Sequence, residues 1–121
     1  TRAVVACLLR QPVDISDPLD MFFILRASSS SSSGSSGSRW SGQVGFPGGH
    51  CETGESDHEA VVRECREEVG LTLDSTDAYL FLGCIPERKV PRGKGETLVV
   101  ACRVYEQVIS ESPSHLQVKE V

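Results

Sequence analysis

The stretch GGHCETGESDHEAVVRECREEVGL, residues 48–71, decides the fold. Within it, Ser56 followed three residues later by Glu59 forms a capping box, the signature of a helix start. Ala60, Val61, Cys65 and Val69 then recur on one side at helical period. Gly70 supplies the stop. The pattern predicts a helix over 56–69.

The same stretch holds seven acidic residues among its 24. Glu64, Glu67 and Glu68 stand at i, i+3 and i+4, so their carboxylates share one face of the last turns. Like charges repel there, and the helix macrodipole already disfavours negative charge near a C-terminus. Two electrostatic penalties in one place point to a bound cation. An oxygen-only donor set suits Mg2+ or Mn2+ rather than zinc. The plainer alternative is a solvated acidic face, salt-bridged to Arg63 and Arg66.

Working outward, 121 residues make one domain with a single core. The net charge of −5 argues against a protein that coats duplex nucleic acid. It does not exclude an enzyme for a small anion, since a metal ion supplies local positive charge. Five cysteines, an odd number with no CxxC pair, argue against a disulfide framework or zinc knuckle. They read as reduced thiols of an intracellular protein, whether cytoplasmic, mitochondrial or peroxisomal. No run is long enough to span a membrane, and no signal peptide is visible. The chain opens directly on a strand-like segment, which leaves targeting open.

Residues 3–9 (AVVACLL) and 21–25 (MFFIL) read as strands of a hairpin, joined by the turn-rich QPVDISDPLD. The serine tract at 28–38 reads as a flexible insertion within the domain. After the helix, residues 71–73, 79–85 and 97–105 read as strands. Residues 86–96 (PERKVPRGKGE) read as a polar loop, and 118–121 as the start of a further strand. One helix among about six strands gives an α+β domain with a mixed sheet.

Gly49, five residues, Glu55, seven residues, then Arg63-Glu64-Cys65-Arg66-Glu67-Glu68-Val69-Gly70-Leu71 fill every position of a longer pattern. That pattern resembles the signature of the Nudix hydrolases. The resemblance covers nearly the whole chain and implies an αβα sandwich around a mixed sheet. The second large helix of such a sandwich is not seen before Val121, so the chain is expected to be an excerpt of a longer protein. The resemblance also implies roles. Glu64, Glu67 and Glu68 are metal-binding carboxylates, with the Gly48 carbonyl as a further ligand. Glu64 orients or deprotonates the attacking water. Arg63 joins the catalytic machinery by steering a metal-binding glutamate while ion-paired to Glu55. Gly49, Glu55 and Gly70 are structural, and Cys65 packs in the core. A fourth acidic ligand or base is expected from outside the signature, with Glu120 the first candidate, then Glu96, and Glu106 and Glu111 behind. His50 and His58 read as solvated neighbours.

The activity implied is hydrolysis of a nucleoside diphosphate linked to another moiety. The alternative from another class is a Nudix-fold module that binds a nucleotide without cleaving it. For the substrate, GQVGFPGG at 42–49 looks like the coenzyme A diphosphatase branch, and Arg26-Ala27 fits an upstream element of that branch loosely. The serine tract interrupts the arrangement, and Arg39 lies one residue closer to Gly42 than the branch's arginine. Arg26, Arg39, Arg92 and Lys94 are the candidate substrate-binding cations. For Arg92 and Lys94, within the basic segment that also holds Arg88 and Lys89, solubility at a loop tip is the competing role. Nucleoside triphosphates, ADP-ribose and dinucleotides are the other substrate classes. The expected partner is a small molecule, with no nucleic-acid duplex and no membrane, and the chain is expected to be a monomer or homodimer.

Overall fold

The computed structural model describes residues 1–25 and 44–110. Strand β1 (Arg2–Arg10) runs through the middle of the main sheet. Its near-continuous burial fits a strand covered on both faces. It pairs in parallel with β7 (Glu96–Gln107), from Arg2 opposite Val99 to Arg10 opposite Gln107. Beyond β7 lies β6 (Tyr79–Gly93), antiparallel to it and at the edge. On its other side β1 meets two short antiparallel pieces, β2 (Asp20–Met21) and β5 (Gly48–His50). A separate two-stranded sheet joins β3 (Ile24–Leu25) to β4 (Val44–Gly45).

Helix α1 (Asp57–Val69) forms as the capping box dictates. The Ser56 hydroxyl accepts from the Glu59 amide at 3.1 Å, and the Glu59 carboxylate accepts from the Ser56 amide at 2.9 Å. Gly70 takes the left-handed conformation at φ 73° and closes the last turn on the Arg66 carbonyl. Ala60, Val61, Cys65 and Val69 face Val4, Ala6 and Leu8 of β1 and Ala101 and Tyr105 of β7 in one core. The result is an α+β domain with a mixed sheet, as the sequence predicts.

Three expectations change. Residues 86–96 are not a loop, because β6 continues to Gly93 and a tight turn at Lys94 and Gly95 leads into β7. Both turn residues have positive φ, 53° and 75°, the sign that type I′ hairpin turns need. The prolines that signal a loop are tolerated because β6 is an edge strand, where a missing N–H can face solvent. The register also slips between Ile85 and Arg88 and between Pro91 and Gly93, at the prolines themselves. Residues 71–73 are not a strand. Leu71 and Leu73 are buried one by one, and turns take the chain onward, with Ser75 donating to the Thr72 carbonyl at 2.9 Å. Residues 21–25 do not form one strand but split between β2 and β3, in different sheets. The serine tract at 28–38 and the strand expected at 118–121 lie outside the described residues.

The cap is where local sequence is committed to the helix. Ser56→Ala is expected to cost about 1 kcal/mol. Urea denaturation followed by circular dichroism reads that loss.

Candidate active site

Gly48 and Gly49 of β5 lie opposite Val5 and Val4 of β1. Gly48 has φ 153°, and a Cβ there would overlap the backbone carbonyl of Val4. Its amide instead donates to Glu68 Oε1 at 2.9 Å. Gly49 is glycine for a different reason: a Cβ there would fall on the carboxylate of Glu64. The two glycines therefore let β5 press against β1 on one side and against the helix carboxylates on the other.

Arg63 fixes this contact. Its Nε donates to Glu55 Oε2 at 2.7 Å, and its Nη2 donates to Glu55 Oε1 at 2.9 Å and to the His50 carbonyl at 3.1 Å. Its Nη1 reaches Glu64 at 3.1 Å and Glu67 at 3.3 Å. The bidentate grip of Arg63 holds the Glu55 carboxyl down to about 2, helped by the Glu52 amide. Arg66 takes no part, pairing instead with Asp74 at 2.9 Å. A freely solvated acidic face is not what results, since the Glu64 side chain is only 17% exposed while Glu67 is 60% exposed.

These groups fit a hard divalent cation. All the donors are oxygens, and the bare Gly49 leaves room for the Glu64 carboxylate that a side chain there would displace. In this arrangement Glu64 and Glu67 turn to Arg63 and Glu68 to the Gly48 amide. Accordingly, no three His, Cys, Asp or Glu side chains among the described residues converge on one point. Cys65 lies in the core, and burial pushes its thiol up to about 12, which leaves it inert.

Other residues singled out in the sequence stand elsewhere. Cys102 of β7 is level with Val5 of β1, which faces Gly48. Glu96 lies six residues before that level, roughly 20 Å along the strand. Arg92, Lys94 and Glu96 thus sit at the hairpin tip, well along the sheet from Glu64. Glu106 pairs with Leu9 and Leu80 and alternates with Tyr105, which faces the helix, so it lies on the far face of the sheet. Arg26, Arg39, Glu111 and Glu120 lie outside the described residues. The sequence reading missed the network of Arg2, whose Nε and Nη2 grip Asp57 at 2.7 and 2.6 Å. It also missed the stacked rings of Phe23 and Phe46, 5.2 Å apart, the second two residues before β5. A half-apolar FP step before paired glycines was the available signal for that stack.

Three outcomes follow from this geometry. Gly48→Ala is expected to cost roughly 3 kcal/mol, because its Cβ meets backbone and its φ disfavours any side chain. Gly49→Ala is expected to keep the fold to within about 1 kcal/mol, since only the end of the Glu64 side chain, not backbone, must shift, and yet to abolish turnover. Denaturation curves beside activity assays separate the two. The depressed Glu55 carboxyl stabilises the fold above its ordinary value of 4.5, and that contribution is lost as pH falls through about 2. Glu55→Gln should flatten the acid-unfolding profile across that window.

A model of the NUDIX domain matches residues 2–120. No curated protein matches the chain in sequence. Among solved structures, a C. elegans Ap4A hydrolase in a binary complex is similar at 18% identity and TM-score 0.65, over 94% of this chain and 72% of that one. RenU, a Nudix hydrolase from M. smegmatis, is similar at 13% identity and TM-score 0.66, over 93% and 62%. The NUDIX domain of Shewanella oneidensis NrtR, complexed with ADP ribose, is similar at 18% identity and TM-score 0.58, over 93% and 68%. At these identities the likeness speaks for the fold. The family match spans the whole signature, and the chain belongs to the Nudix family.

Proposed function

We propose that the chain hydrolyses the diphosphate bond of a nucleoside diphosphate linked to another moiety, using Mg2+ or Mn2+ held by Glu64, Glu67, Glu68 and the Gly48 carbonyl. Nudix hydrolases use divalent metals. The observation that carries the reading is the fit of the Glu64 carboxylate into the space a Gly49 side chain would fill, with Arg63 gripping it from behind. A merely solvated acidic helix needs neither the glycine nor the grip.

The bound cation would neutralise the diphosphate and lower the pKa of the attacking water. The residues of the chain do the rest. Arg63, locked by Glu55, holds Glu64 in one orientation. Glu64 takes up the proton of the water. Glu68, anchored on the Gly48 amide, keeps the β5 backbone at the helix. Glu67, the most exposed of the three carboxylates, is free to swing from Arg63 toward a ligand. Glu120 is the proposed fourth carboxylate.

Coenzyme A and its derivatives are the first substrates to test, on the strength of the GQVGFPGG run. Arg26 and Arg39 are the cations proposed to hold them. Dinucleoside polyphosphates and ADP-ribose stand beside them, because the similar folds include an Ap4A hydrolase and a domain bound to ADP ribose. Arg92 and Lys94 at the hairpin tip are less suited to a clamp within the same site, given the length of strand between.

The test is a substrate panel covering coenzyme A, ADP-ribose, diadenosine polyphosphates, NADH and oxidised nucleotides, with Mg2+ or with EDTA and products identified by mass. Metal-independent turnover, or none on any substrate, would remove the reading. Glu67→Gln and Glu68→Gln are each expected to lower turnover by about three orders of magnitude. For Glu67→Gln, metal-free stability should change by less than about 0.5 kcal/mol, since an exposed i,i+4 pair is worth little.

A further inference from the structure

The flank of α1 opposite the glutamates carries a second charged cluster. At about 100° per residue, His58 lies across the buried stripe from Glu64 and Glu67. It faces β7, where its Nδ1 is 3.2 Å from the hydroxyl of Tyr105. The same hydroxyl accepts from Arg103 Nε at 2.8 Å. The Arg103 guanidinium lies over the Phe81 ring, with Cζ 4.1 Å from its centroid. Tyr105 is buried, while Phe81 is 45% exposed.

Arg103 is thereby fixed at its Nε and against an aromatic face, and among the described residues no hydrogen bond or ion pair engages Nη1 or Nη2. The carboxylate whose field reaches it, Asp57, gives both oxygens to Arg2. Glu87 also pairs with Arg2. A half-buried guanidinium with its fork oriented and no carboxylate bonded to it among the described residues is set for two parallel N–H···O bonds. Water alone would not require the stacking or the Tyr105 anchor.

We infer that Arg103 is a second anion site, separate from the glutamate cluster, which takes an oxyanion bidentately on Nη1 and Nη2. The oxyanion is a phosphate or carboxylate group, and the exposed edge of Phe81 leaves the approach open to solvent. The site does not depend on a metal or on turnover, so it stands or falls apart from the hydrolase reading.

Inorganic phosphate and, separately, acetate are titrated into the metal-free chain at ionic strength held constant with chloride. The Arg103 Nε–H signal and the amides of Phe81 and Tyr105 are followed by NMR. Saturable shifts confined to this cluster are expected. Tighter binding of phosphate assigns a phosphate group, and tighter binding of acetate a carboxylate. Arg103→Lys keeps the charge and loses the fork, and should weaken binding about tenfold. Phe81→Leu frees the guanidinium plane and should also weaken it. Shifts that stay linear in phosphate and in acetate concentration, or binding unchanged in both variants with their melting curves intact, would overturn the assignment.

Discussion

One guanidinium organises the charged half of the molecule. Arg63 spans the turn after β5 and the middle of α1, bonding the His50 carbonyl, both oxygens of Glu55, and the carboxylates of Glu64 and Glu67. Without a cation there, Glu64 and Glu67 of α1 would face Glu52 and Glu55 of the turn after β5 with like charge. With it, the helix can bring Glu64 down onto Gly49 and Glu68 onto the Gly48 amide. The close approach of strand and helix depends on this pairing as much as on the core beneath it. Arg63 and the apolar stripe act on adjoining faces of the same helix, so packing and site geometry are set together.

The helix was fully legible in the sequence because several independent signals agreed, namely the reciprocal cap, the apolar period and the terminal glycine. The Glu55–Arg63 pair was legible too, since its spacing belongs to a pattern that spans loop and helix. Strand readings were less faithful where composition and topology disagree. Pro86 and Pro91 read as loop residues, yet an edge position needs only one line of N–H groups. Leu71 and Leu73 have strand-like spacing, but each fills a core position at the end of α1 with no partner strand beside it. The separation of residues 21–25 into two sheets depends on where β1 ends and where residues 44–45 return, which no local pattern records. Arg103 is a lone cation in the apolar run TLVVACRVY. That oddity was visible, but its partners Phe81, Tyr105 and His58 come from three elements and needed the fold to bring them together.

The two flanks of α1 treat charge in opposite ways. On the β5 side, a single guanidinium is shared among several carboxylates. On the β7 side, Arg2 takes up Asp57 and Glu87, and Arg103 is left stacked on a ring. An acidic chain thus presents an anion-rich edge and a cation-bearing one on either side of the same 13-residue helix.

The parallel pairing of β1 with β7 has a consequence for how the molecule is made. Nine ladder positions join residues 2–10 to residues 99–107, nearly the full described length of the chain apart. The helix and the β6–β7 hairpin can form from local contacts, but the central strand stays without its main neighbour until β7 has emerged from the ribosome. Loop closure on that scale is slow compared with hairpin formation. During synthesis, the apolar run of β1 is therefore exposed until β7 follows it, the interval in which such a run is prone to aggregation. The glutamates of α1 would be in a formed helix before the strand that carries Gly48 and Gly49 has a finished sheet to rest on.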